Sequence, residues 1–345
     1  MELTPRKRAI LAAIVKYHIA TGAPVGSKWL TTTLENAPSS ATLRNEMNEL
    51  DRMGLLEQPH TSAGRIPTGK GYEFYVTNLM QKNDISDREK AYIDRCIEEC
   101  YADTENIQLS AAKILSRLTG LPAFAAKVAG EEAIIKKVQI NLLSNRLIMI
   151  VVITSDGRTK SKLIRSATAL NYNMLSDLEK IAKEKVEGKR FRELTFAAMQ
   201  NIYAGFTGDA LAVMPVIASL FDMINEMGQP QIEFSGETNI YSMLSESDRA
   251  GKLLMFLEKK DAVMSIIGEN IDKVGVIFGA DTGYRELDSA TVIVAPYGSG
   301  DLPIGRIGVI GPTRMSYGQI VPSIAYLASK LSEVLNESIK DLEEI

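Results

Sequence analysis

The chain has 345 residues, 45% apolar and 24% charged, with a formal net charge of −4. At roughly 150 residues per domain this implies two or three domains with sizeable cores, and it excludes a disordered or fibrous protein. Apolar runs such as Leu147–Ile153 stop at seven residues, far short of the ~20 that cross a bilayer. No secretory pattern follows the basic Arg6-Lys7-Arg8, so a cytoplasmic protein with no membrane partner is expected.

In chain order, Thr4 caps and Pro5 opens a first helix. Its Ile10, Leu11, Ile14, Val15 and Tyr17 keep helical spacing until Thr21-Gly22. Ala23–Gly26 reads as a turn, and Ser27 caps a second short helix carrying Trp29, Leu30 and Leu34. Ser39 and Ser40 cap a third helix that stops at Gly54. Leu55–Gln58 begins a strand, Thr61–Gly64 turns, Arg65-Ile66 returns, and Pro67-Thr68 opens another helix. Three helices and a two-stranded wing are the order of a winged helix-turn-helix.

Beyond a polar linker at Asn83–Arg88, the pattern predicts a helix to about Leu118, broken by Gly120-Leu121-Pro122. Strands are predicted at Lys136–Leu142, Leu147–Thr154 and Arg158–Arg165, with turn residues between them. A helical stretch from Leu175 to about Leu257 is interrupted by a short strand at Gln231–Phe234. Strand character returns at Val274–Phe278, Thr291–Ala295 and Arg306–Ile310, and Val321–Leu342 reads as one amphipathic helix. Strands, helices, then strands again suggest a sheet domain with an insertion. The block Phe191–Ile267, with Met199, Ile202, Tyr203, Phe206, Val213, Ile217, Leu220, Phe221 and Ile224, offers more apolar positions than one small domain readily hides, which marks it as an interface.

Charge is uneven along the chain. Residues 1–80 hold nine Lys/Arg against seven Asp/Glu, and the remaining residues hold 30 against 36. A slightly basic head on an acidic body is compatible with local nucleic-acid binding. Enzymatic chemistry finds less support. Cys96, Cys100, His18 and His60 have no zinc-like spacing, and the two thiols are expected reduced. There is no P-loop, GxSxG or GxGxxG. The glycines from Gly298 to Gly311 match no phosphate cradle and read as turns. Asp281, Glu286, Asp288 and Asp301 hint at a pocket but read better as solvated turns. No catalytic residue, cofactor or metal is expected.

The third helix carries the functional signal. Leu43, Met47 and Leu50 form its buried stripe, with Ala41, Asn45, Asn48 and Arg52 opposite and Thr42 and Arg44 on the flanks. Ser39, Ser40 and Thr42 are small enough to let the helix N-terminus approach a phosphate or base edge. Arg44 can fork onto guanine, and Asn45 or Asn48 can pair with adenine. His60, Thr61, Ser62 and Arg65 form a wing tip of short donors with an arginine that could reach phosphate or a minor groove. Arg6, Lys7, Arg8 and Lys28 could touch the flanking backbone.

Thr21–Ser27, Ser39–Met47 and above all Gly54–Thr68 (GLLEQPHTSAGRIPT), with Gly308–Tyr317 (GVIGPTRMSY) near the other end, resemble the heat-inducible transcription repressor family HrcA of bacteria. One departure is Thr31–Pro38, which lacks the glycine expected in the turn before the recognition helix. The resemblance implies an α+β fold: an N-terminal winged helix-turn-helix, and a GAF-like α/β sheet domain with an inserted, helix-rich dimerisation domain. The expected bounds are 1–82, then 89–190 with 268–345, and 191–267 for the insertion. It further implies a homodimer that represses chaperone operons by binding double-stranded DNA at the inverted-repeat operator CIRCE. The GroE chaperonin would keep it active, and heat would release it. An inverted repeat requires a protein two-fold. The competing expectation is a metabolite-sensing regulator or enzyme that uses a GAF-like pocket beneath a DNA-binding head.

Overall fold

Local sequence chemistry sets the helix ends of the N-terminal head. In the computed structural model, α1 (Pro5–Thr21) starts where the Thr4 hydroxyl accepts the Lys7 amide, and it stops at Gly22, whose φ is 71°. Helix α2 (Ser27–Thr33) follows, then α3 (Ser40–Arg52), where the Ser39 hydroxyl accepts the Thr42 amide at 3.2 Å. The turn between α2 and α3 has no glycine because Asn36 takes the left-handed position at φ 53°, a conformation asparagine tolerates better than most residues. Strands β1 (Leu56–Glu57) and β2 (Ile66–Pro67) pair antiparallel, and α4 (Gly69–Asn78) closes the head. Ile10, Ile14, Leu30, Leu43, Leu50 and Leu56 are fully or almost fully buried between these elements. The structure describes residues 3–60, 63–81, 84–100, 107–127, 133–205, 210–243, 247–268, 273–299 and 302–343.

The segment predicted as one helix after the linker is two, α5 (Asp87–Cys100) and α6 (Ile107–Thr119). Strand β3 (Ala123–Lys127) comes next. Its sequence, AFAAK, has no β-branched residue and little intrinsic strand signal. Strands β4 (Ile135–Ser144), β5 (Leu147–Thr154) and β6 (Thr159–Arg165) form a separate antiparallel meander. Helices α7 (Tyr172–Val186), α8 (Phe196–Gly205) and α9 (Ala210–Gly228) follow. The chain then returns through β7 (Gln231–Ser235), α10 (Asn239–Met243), α11 (Ser247–Leu257) and α12 (Lys260–Ile267). Strands β8 (Gly275–Phe278), β9 (Ala290–Ser299) and β10 (Leu302–Pro312) lead into α13 (Tyr317–Glu343). No described helix is long and apolar enough to cross a membrane.

The larger sheet has the order β7-β3-β10-β9-β8, antiparallel throughout. Helices cover both faces. Ala123, Ala125, Ile293, Ile307 and Val309 share a core with Leu115, Ile324 and Leu327. Phe124, Val292, Val294 and Ile310 share another with Leu253, Phe256 and Val263. Burial on two sides explains why Val292–Ala295 is continuously apolar rather than alternating.

Packing divides the chain differently from the expected insertion at 191–267. Along β5, Ile148, Ile150 and Val152 are buried and their neighbours only partly so. These three pack with Leu175 and Leu178 of α7 and with Val213, Ile217, Leu220 and Ile224 of α9 in one core. A boundary at 190 would cut through it. Residues from α10 to α12 pack instead on the larger sheet. The inserted unit therefore lies between β3 and β7, whose pairing sets Lys127 opposite Gln231 and brings its two ends side by side. The apparent apolar surplus has the same explanation: Ile202, Val213, Ile217, Leu220, Phe221 and Ile224 are buried within this unit. Met199 and Tyr203 are partly buried against it, and Phe206 lies outside the described residues.

Candidate nucleic-acid interface

Helix α3 presents a polar face because Leu43, Met47 and Leu50 fix the opposite one in the core. At its start, Ser39 is exposed and serves as cap, with its hydroxyl also 3.0 Å from that of Thr42. Ser40 is half-buried and shares a 2.8 Å hydrogen bond with Ser27, which ties the first turns of α2 and α3 together. Its hydroxyl thus forms a joint inside the head at the start of the polar face. Arg44 and Asn45 are exposed and make no ion pair or side-chain hydrogen bond among the described residues. They are the long polar groups of the first two turns that remain available.

The second half of the face is engaged. Arg65, expected to reach outward from the wing, turns back onto α3. Its Nη2 donates to Asn48 Oδ1 at 2.9 Å and its Nε lies 2.8 Å from the Asp51 carboxylate. Two of the residues proposed for DNA, Asn48 and Arg65, therefore hold one another. The backbone enforces this arrangement. Val25 and Arg65 exchange both main-chain hydrogen bonds at 2.9 Å, fastening the hairpin to the turn between α1 and α2. Gly64 is required there, since a Cβ would sit 2.2 Å from the Val25 carbonyl oxygen.

His60 is exposed at the hairpin end, and its carbonyl accepts the Ala63 amide at 2.9 Å. Thr61 and Ser62 lie outside the described residues. Gln58, which the sequence reading passed over, donates to the Ala63 carbonyl at 3.0 Å. It lines a cleft of about 420 Å³ between α3 and the hairpin, with Ser27, Arg44, Asn48 and Arg65. Arg6 and Lys7 are drawn to α3 rather than left for a flanking backbone: Lys7 Nζ lies 3.2 Å from Glu46 and 2.7 Å from Glu49, and Arg6 lies 3.5 Å from Glu46. The hydrogen bond from Lys7 lowers the Glu49 pKa, and that same bond raises the lysine's own.

Other candidate chemistry disperses. No group of three or more metal-ligating side chains occurs among the described residues. Glu286 pairs with Lys259 at 2.9 Å, Asp281 and Asp288 are exposed, and Asp301 lies outside the described residues. A second cleft, of about 290 Å³, lies where the inserted unit meets the larger sheet, lined by Gln108, Lys127, Arg158, Lys160 and Glu233. Two of its cations are paired, Arg158 with Asp156 and Lys160 with Glu226.

Comparison with known proteins agrees with a regulatory reading. Residues 105–321 match the family model described as HrcA protein C terminal domain. A relative from Acetivibrio thermocellus, named heat-inducible transcription repressor HrcA, is 31% identical with 99% of each chain covered. A relative of the same name from Clostridioides difficile is 32% identical, covering 95% of this chain and 98% of its own. A crystal structure described as a hypothetical protein at 2.2 Å resolution has a TM-score of 0.64 at 23% identity, covering 98% of this chain and 100% of its own. That likeness is one of fold.

Proposed function

The chain belongs to the HrcA family of heat-inducible transcription repressors, and from that premise we propose that its head is a winged helix-turn-helix that reads the CIRCE inverted repeat with α3. The protein is a transcriptional repressor of the heat-shock response. The observation that carries the proposal is the free, exposed pair Arg44 and Asn45 on the first half of α3, beside the hairpin cleft. Arginine can fork onto guanine and asparagine onto adenine from such a helix, while Ser39 and Thr42 approach the backbone. Asn48 and Arg65 then act as the brace between helix and wing, and His60 stands exposed at the wing tip.

The head spans 1–82. The larger sheet and its helices form a GAF-like domain from 89–127 and 231–345, and the inserted unit occupies 133–228. Two copies associate through that unit to match the operator two-fold. Its outer sheet face supports this: Leu163 is 61% exposed beside half-buried Met149, with which it is in register. The repressor works in the cytoplasm, the GroE chaperonin maintains its active form, and heat withdraws that support.

Fluorescence anisotropy of the purified chain on CIRCE duplex, with and without chaperonin, tests the reading. Specific binding strengthened by chaperonin is expected. Equal affinity for CIRCE and a scrambled duplex under both conditions would overturn it.

A further inference from the structure

The stretch Gly308–Tyr317, the second part of the sequence that resembles the family, lies far from α3 in sequence but at the seat of the head on the body. Tyr317 is fully buried, with its hydroxyl donating to the Thr313 carbonyl at 2.7 Å. Its ring centroid lies 6.3 Å from Phe278 of β8 and 6.4 Å from Tyr72 of α4. Tyr72 in turn meets His18 of α1 through a 2.6 Å hydrogen bond to Nδ1. Arg314 is exposed, yet it reaches across to the head: its Nη1 donates to the Ile19 carbonyl at 3.3 Å. The guanidinium lies over Gly22, 3.1 Å from where a Cβ would stand.

A cation at this place meets the unsatisfied carbonyls and negative pole of a helix C-terminus. The opposite end of α1 is held to α3 by Lys7 with Glu46 and Glu49. Helix α1, 17 residues long, thus spans roughly 25 Å from the body's seat to the reading helix. We propose that Arg314 is a positioning residue for DNA reading: it fixes the C-terminal end of α1 on the body and so sets the angle at which each head presents α3. It touches no DNA. Because Arg314 is exposed, its truncation leaves no cavity in the core. This inference rests on the two-headed reading of an inverted repeat proposed above.

The test uses the full chain with Arg314→Ala and Arg314→Lys, on a single half-site and on inverted repeats with varied spacers. Arg314→Ala is expected to keep half-site affinity within about twofold, to lose about tenfold on the preferred spacing and to flatten the spacer preference. Arg314→Lys keeps the charge at the helix end and restores most of the preference. An unchanged spacer preference in Arg314→Ala, or an equal loss on half-site and full repeat, overturns the proposal. A DNA-free readout separates this from failure of the two-headed reading itself, which would show as a wild-type chain with no preference for the repeat over the half-site. Distances between labels at exposed Lys16 of α1 and Asp261 of α12, with labelled chains diluted in unlabelled ones, should broaden in Arg314→Ala and narrow again in Arg314→Lys. An unbroadened distribution overturns the proposal whatever the DNA arms show.

Discussion

The head and the inserted unit are built from similar material and packed to different ends. The inserted unit closes on itself: three strands and α7 to α9 share one core that no head residue enters. The head core does not close. It continues through Tyr72 and Tyr75 to Tyr317, Phe278 and one face of the larger sheet. A self-contained unit entered and left through adjacent strands can be moved or removed as a module. A head whose core runs into its support has its orientation fixed by that support. One unit is packed as a separable module, and the other is joined to its support by a continuous core, to which the Arg314 contact at the end of α1 adds a second tie.

The sharpest way to break this comparison is to excise the module. Joining Lys127 to Gln231 by a short turn uses strands that already pair. The shortened chain should fold, scatter light as a monomer and bind the full repeat ~10²–10⁴-fold more weakly, while its half-site affinity is retained. A shortened chain that stays dimeric places the two-fold in the sheet domain. Next in size, Ile217→Ala opens a cavity in the module core and should cost ~2–5 kcal/mol in its unfolding. Half-site affinity should stay unchanged if the cores are independent. Calorimetry and anisotropy on the same sample check both halves.

Within the head, Arg65→Ala removes the brace to Asn48 and Asp51 and should weaken operator binding by about 1 kcal/mol. The salt dependence should hold its slope, because the guanidinium contacts protein. A slope reduced by about one unit would show that Arg65 leaves the brace to neutralise a phosphate. The smallest effect concerns acid. Burial pushes the Asp156 carboxyl up, but hydrogen bonding and attraction from Arg158 outweigh it, and its pKa falls below the ordinary value. A lowered carboxylate pKa contributes stability that is present above the unfolded value and lost as pH falls through the folded one. The module's melting temperature should therefore drop below about pH 4, and Asp156→Asn should flatten that drop. An identical acid profile in the variant would remove the pair from the account.

The head was legible because its signals are local. Thr4-Pro5, Ser39 and the glycines at 22 and 54 mark ends through capping and backbone conformation, and Leu43, Met47 and Leu50 mark a face by spacing. Asn36 replaced an expected glycine because its side chain tolerates the same left-handed turn. The insertion bounds were not legible. Periodicity in α9 shows that Ile217 and Leu220 are buried, but not that the covering sheet precedes them in the chain. Strand β3 was missed because its alanines hold their place through pairing with β10 and β7 rather than through propensity. In the candidate site, composition and spacing pointed to Arg44 and Asn45, which are exposed on the first half of α3. The turning back of Arg65 depends on the bridge to Val25, a contact across 40 residues that no local pattern carries.

Base reading by the first half of α3 is the proposed core of operator recognition. Its most direct test is anisotropy of Arg44→Ala and Asn45→Ala on CIRCE and on a scrambled duplex of equal length and salt. A loss of ~1–3 kcal/mol on CIRCE with little change on the scrambled duplex is predicted for each. Equal loss on both duplexes, or none on either, would contradict it.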